Sequence, residues 1–183
     1  MSGDVNHPKN REALVLSVRG KTPVIPESCW LAPTATVIGD TTMGEDCSVW
    51  FNAVIRGDVN SIQLGDRVNV QDNAVIHCTY EKWPTVIGDD VSIAHNAVVH
   101  GCTIHDRVLI GMGSVVMDGC VVESNCIIAA GSVVTQGTHV EAGSIYAGIP
   151  AKKVKQLSQE TFEGEVQRIA RNYKMYSEWY VNR

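Results

Sequence analysis

The sequence predicts a mainly β protein: a parallel β-helix of triangular coils with a C-terminal α-helix packed along its side. Three observations predict it. The first is a period of six. From Ile104, an aliphatic or large residue recurs at Ile110, Val116, Val122, Ile128, Val134, Val140 and Tyr146. The second is a small or medium residue four places after each of these, as at Val108, Ser114, Cys120, Cys126, Ser132, Thr138 and Ser144. The third is composition. Apolar residues make up 44% and aromatics only 6%, so the core must be built of Val, Ile, Ala and Leu rather than rings. A six-residue unit is too short for a helix pair and too regular for a sandwich. It suits a short strand plus a corner, three such faces making one coil of about eighteen residues. The aliphatic position then points inward and stacks on its equivalent about 4.8 Å along the axis. The small position sits at the corner, where bulk cannot fit.

The elements follow in order. Residues 1–12 are polar and expected to be loose. Leu14 to Val18 reads as a short strand, and Pro23 and Pro26 interrupt the chain after it. Hexads then run through Val37, Met43, Val49 and Ile55; through Leu64, Val70 and Ile76; and through Ile87, Ile93 and Val99. Nine residues separate Ile55 from Leu64 and eleven separate Ile76 from Ile87, which leaves room for two loops. Five separate Val99 from Ile104, a tightened corner. Cys47, Cys120 and Cys126 hold corner positions as small buried residues. Ala147 to Lys152 reads as a turn that leaves the coil. Ser158 is a helix N-cap with Glu160 in the first turn. Phe162, Val166, Ile169, Tyr173, Tyr176 and Tyr180 follow at helical spacing, with Trp179 beside them. One domain is expected over residues 1–183, the β-helix spanning about 14–150 and the helix 156–182.

Composition excludes several partners. The net charge is −5 and no basic run exists, so nucleic acid is not expected, because phosphate neutralisation needs clustered Lys and Arg. No apolar run approaches the roughly 18 residues of a membrane span. The N-terminus lacks the apolar stretch of a secretory signal, and the six cysteines include no CxxC pair. Reduced thiols and a cytoplasmic location are the expectation.

Three histidines stand out. His95 and His100 lie five apart, and His77 lies eighteen before His95. The hexad register places them once the loop of residues 78–86 is set aside. His77 follows Ile76 and His100 follows Val99, so both take the second position of a third-face hexad, one coil apart. Next to an inward residue, both point outward and should stack closely enough to share one ion. Arg56, following Ile55, falls in the same column. His95 takes the third position of a second-face hexad, too far away within one straight coil. A second chain's His95 can reach the pair across an interface, and equivalent faces pack around a threefold axis. The register therefore predicts a homotrimer with three metal sites at subunit boundaries. His7, His105 and His139 fit no such column and read as solvated.

These motifs carry a resemblance. The hexapeptide repeats, Arg56-Gly-Asp58, Asn69-Val-Gln71-Asp72, Ile76-His77 and His95-Asn-Ala-Val-Val-His100-Gly-Cys are together similar to the γ-class carbonic anhydrases, over nearly the whole chain from about Val15. The resemblance implies a left-handed β-helix, a homotrimer, and zinc held by His77 and His100 of one subunit with His95 of the next. It implies that Gln71 hydrogen-bonds the metal's water or the substrate. It also implies that Arg56, Asp58 and Asp72 form a charged network around the site and across the interface. Zinc held by three imidazoles lowers the pKa of its water to near 7, and the hydroxide would attack CO2 to give bicarbonate. Iron and cobalt suit imidazole as well.

The chain also departs from fully active members. Val59 stands where they carry a glutamate after the Arg-x-Asp motif. The loop after His77 is short, with Glu81 its one acid. Glu81, Tyr80 and Tyr173 are the candidate proton carriers. Two other readings use the same fold. One is acyl-CoA thioester hydrolysis or acyl transfer, since Gly148-Ile-Pro-Ala-Lys152 resembles a turn of hexapeptide acyltransferases. The other is a non-catalytic trimeric scaffold with the metal as an interface staple.

Overall fold

The computed structural model describes residues 12–181, so His7 lies outside the described residues. The chain winds as a parallel β-helix with three faces. The second face is an eight-stranded sheet that starts at Trp30–Leu31 and passes through Ser48–Val49, Asn69–Val70 and Ser92–Ile93. The other two faces are joined into one eleven-stranded sheet, because the strand Val54–Leu64 rounds a corner and belongs to both. The hexad register is the observed register. Leu64 pairs with Ile87, Val70 with Ile93 and Ile76 with Val99.

The core is the inward column the period predicts. Ile55, Ile76, Val99, Val116 and Val134 are fully buried, as are Val49, Val70, Ile93, Ile110 and Ile128. At about 25 cal/mol per Å2 of apolar surface, each buried Ile or Val contributes on the order of 2 kcal/mol. The corner positions are equally tight, with Ser114, Ser132 and Ser144 sealed from solvent. All six cysteines are buried and unpaired, as expected for small core residues.

The corners have a second signature. The residue three places after the inward position takes left-handed backbone: Asn52, Asn73 and Asn96 at φ +59, then Gly113 and Gly131 at +65 and +68. Asparagine and glycine tolerate that conformation, whereas a Cβ-bearing residue without a short polar group costs about 1–2 kcal/mol there. Asn96→Ala is therefore expected to lower stability by about 1 kcal/mol and Asn96→Gly to leave it nearly unchanged, as read from denaturant midpoints.

Three expectations about the coil need correction. The first strand is Leu14–Leu16, and Val18 instead makes an isolated antiparallel bridge to Lys21. The span between Ile55 and Leu64 is strand, not loop. It pairs along Thr36–Met43 and bulges where Gly39 opposes Gly57 but Thr41 opposes Ile62. The backbones meet so closely that a Cβ on Gly39 would lie 2.4 Å from the Gly57 carbonyl. The bulge turns residues 58–61 outward. The coil also does not end at Pro150. Ser144–Gly148 folds back antiparallel onto Ala151–Gln156, a strand exposed beyond Ala151 that adds one edge to the second face. His105 and His139 are exposed, as expected, and both lie near one acid. His139 Nε2 lies 2.9 Å from Glu123 and His105 Nε2 3.9 Å from the same carboxylate.

The C-terminal helix is capped by Ser158 as expected, but it begins at Gln159 rather than 156, which ends the preceding strand. The Ser158 hydroxyl accepts from the Thr161 amide, and the helix runs through a π segment, Phe162–Gln167, into Arg168–Val181. It lies against the strands Ser48–Val49 and Asn69–Val70. Tyr180 packs on Trp30 with ring centroids 5.1 Å apart, and Tyr173 meets Trp50 edge-on at 5.0 Å. Among the described residues, no helix is long and apolar enough to cross a membrane.

Candidate metal centre

The third face brings His77 and His100 together. They are direct partners in the parallel register between Val75–His77 and Val98–His100. His77 Nδ1 lies 3.0 Å from His100 Nε2. Each ring spends its other nitrogen on an aspartate: His77 Nε2 is 3.1 Å from Asp58 Oδ1 and His100 Nδ1 is 2.8 Å from Asp118 Oδ1. Asp58 rides on the bulge described above. It also accepts from Arg56 Nη1 at 2.7 Å, and Arg56 lies in the column the hexads assign.

The electrostatics are coherent. Burial raises the Asp58 pKa, but the hydrogen bonds from Arg56 and His77 outweigh it and hold the carboxyl below its ordinary value. Burial pushes the His77 pKa down, more than the bond to Asp58 lifts it. His77 is then neutral at pH 7 and donates its single N–H to Asp58. The two remaining nitrogens face one another at 3.0 Å, within reach of a proton carried by either one. Lone pairs that close repel unless a cation or a proton lies between them. Two nitrogens bound to one tetrahedral zinc would be about 3.3 Å apart, so the pair fits a metal with little adjustment. Carboxylates on the far nitrogens commonly fix the tautomer and orientation of metal-binding histidines.

His95 lies on a different face, at the corner that Asn96 turns. It repeats the arrangement: Nδ1 is 2.8 Å from Asp72 Oδ2, and Nε2 accepts from the Tyr173 hydroxyl at 3.2 Å. Burial pushes the Tyr173 pKa up to about 12. Gln71 sits beside His95. Its amide donates to Asn69 Oδ1 at 3.0 Å, and with His95, Leu109, Met112 and Tyr173 it lines a cavity of about 420 Å3 under the helix. The predicted site residues therefore fall into two groups. Arg56, Asp58, His77 and His100 form one; Gln71, Asp72 and His95 form the other. Among the described residues, no three His, Cys, Asp or Glu side chains converge as a metal-binding group.

Tyr80 and Glu81 lie exposed on the loop after His77, with the Arg19 guanidinium 5.7 Å over the Tyr80 ring. Sequence reasoning missed Asp118 and Thr79. The register contained a signal for the first: Val99 pairs with Val116, which sets Asp118 over Gly101, an acid over a glycine. It also missed the Tyr173 contact to His95, because the helix's angular setting on the coil has no counterpart in its periodicity.

The fold defines the class. This is a hexapeptide-repeat β-helix protein, and the bacterial transferase hexapeptide (six repeats) profile matches residues 84–116 and 101–136. A solved Bacillus cereus structure described as a putative acetyltransferase superposes with a TM-score of 0.89 at 37% identity, covering 92% of this chain and 97% of that one.

Within the class, the chain is 41% identical to a carbonic anhydrase of Geobacillus kaustophilus, over 91% of both chains. It is 39% identical to the mitochondrial γ carbonic anhydrase 2 of Arabidopsis thaliana, over 91% of this chain and 60% of that protein. The chain belongs to the γ-class carbonic anhydrase family. It spans about 60% of the plant relative's length.

Proposed function

We propose that this protein is a zinc-dependent carbonic anhydrase that interconverts CO2 and bicarbonate, working as a homotrimer with a site at each subunit boundary. The observation that carries the reading is the pair of imidazole nitrogens 3.0 Å apart, each ring anchored by an aspartate. In the proposed site His77 and His100 come from one protomer and His95 from the partner subunit. Support for the partition is geometric, since one chain leaves His95 on another face with its own aspartate. Family membership supports the substrate. Buried, unpaired cysteines suit a reducing compartment such as the cytoplasm.

When bound, the metal supplies Lewis acidity that makes hydroxide available near neutral pH. The chain's residues prepare for that chemistry. Asp58, Asp118 and Asp72 each take the N–H of one imidazole, which turns the other nitrogen's lone pair outward. Arg56 keeps Asp58 ionised. Gln71, buried beside His95, offers an amide to orient a substrate oxygen. Tyr173 holds its proton near neutrality and so does not act as the proton carrier, which leaves Tyr80 and Glu81 of the loop as the candidates. A single loop acid and Val59 in place of a carboxylate point to modest turnover.

The test is metal analysis with stopped-flow CO2 hydration on protein loaded with zinc or iron. One metal per chain and metal-dependent hydration are expected; a loaded protein with no hydration contradicts the reading. Proton competition gives a further expectation. Metal binding needs neutral imidazoles, and the His77 pKa lies below its ordinary value. Protonation of His77 should therefore compete with zinc only below the ordinary histidine pKa of about 6.5, as followed by chelator competition across pH.

A further inference from the structure

We propose that Asp118, held in place by Thr79 of the loop after His77, is the positioning residue that sets the tautomer and aim of His100. The inference rests on the proposed metal centre for its purpose but on separate contacts for its geometry. Asp118 follows the strand Val115–Val116, and the register lays it over Gly101. A Cβ on Gly101 would lie 2.1 Å from Asp118 Oδ1. Glycine at 101, at φ +54, is what lets the carboxylate descend to within 2.8 Å of His100 Nδ1.

The same oxygen accepts from the Thr79 hydroxyl at 2.8 Å. Thr79 is itself fixed twice. Its amide donates to the Trp83 carbonyl at 3.0 Å, and its carbonyl accepts from Asn60 Nδ2 at 3.1 Å. Trp83 closes the arrangement from above. Its Cβ would meet a Cβ on Gly101 at 2.8 Å, and its ring would meet one on Gly119 at 3.2 Å. The short loop thus has a task other than proton transfer. It clamps the aspartate that fixes His100, as the bulge at Asp58 fixes His77. With His100 Nδ1 protonated toward Asp118, Nε2 is left as the lone pair facing His77.

The experiment compares the intact protein with Asp118→Ala, Asp118→Asn, Thr79→Val and Gly101→Ala. Trimer mass and circular dichroism confirm folding. Imidazole tautomers are read by 15N NMR in metal-free protein at pH 8, and zinc affinity by chelator competition. Asp118→Ala should move His100 from the Nδ1–H to the Nε2–H tautomer and weaken zinc by about 10–100-fold. Gly101→Ala should do the same although Asp118 is present. Asp118→Asn keeps the acceptor oxygen and should retain the tautomer, with a smaller loss of affinity. Thr79→Val should fall between Asn and wild type. An unchanged His100 tautomer in folded Asp118→Ala overturns the assignment, as does unchanged zinc affinity. If wild-type protein takes up no zinc, the metal centre is wrong, and the tautomer comparison alone still decides the role of Asp118.

Discussion

His95→Ala is expected to reduce zinc content to background and CO2 hydration to the uncatalysed rate, while His77 and His100 remain paired and the trimer persists. The reasoning is one of coordination. Catalytic zinc sites use three protein ligands with one open position, and in the proposed site the pair on the third face would supply two. Its separation of 3.0 Å does not depend on His95, which sits on another corner with Asp72 and Tyr173. Losing His95 removes a ligand without touching the pair's aspartates or the stacked core. Zinc analysis and stopped-flow hydration, with trimer mass as control, read the outcome. A variant that kept full zinc would place the third ligand elsewhere.

Ile93→Ala is expected to be the most destabilising single truncation near the site. Ile93 is fully buried, and its strand lies between those of Val70 and Ile110. Removing its branched side chain from a closed column leaves a cavity the neighbouring coils cannot fill. Such a change costs about 2–5 kcal/mol, or roughly 4–20 °C in melting temperature for a chain of this size. Thermal unfolding measures it. His95 lies two residues beyond Ile93, so zinc affinity should fall as well; a melting point unchanged within error would mean the column is not the load-carrying core.

The column of His77 over His100 was legible because the arithmetic is simple. Three hexads make a coil, and the residues inserted after His77 form a loop that can be subtracted. Outward direction then follows from alternation beside Ile76 and Val99. What could not be read depends on contacts with no period. The strand Ala151–Gln156 is an edge with five of its six residues exposed, so no apolar pattern announces it; backbone pairing holds it, with an ion pair from Lys153 to Glu141. The strand Val54–Leu64 hides a bulge that the hexad count registers as a gap. Asp118 falls on an ordinary corner of the repeat, and its role emerges only when Gly101 below and Thr79 beside it are in place. The helix's aromatic residues read correctly as a packing face, but which tyrosine would meet His95 depends on how that face is turned on the coil.

The claim that each site is shared between subunits is tested most directly by complementation. His95→Ala and His77→Ala chains carry different halves of the site, and neither homotrimer holds a complete one. In a mixed trimer one boundary joins intact His77 and His100 to an intact His95 of the partner subunit. Random assembly at equal amounts should therefore restore about a quarter of the wild-type sites, seen as both zinc content and CO2 hydration in the co-expressed, purified mixture. Recovery to that level is the expected result. A mixture that binds no more zinc than its parents, although mixed trimers form, would contradict a site built across the boundary.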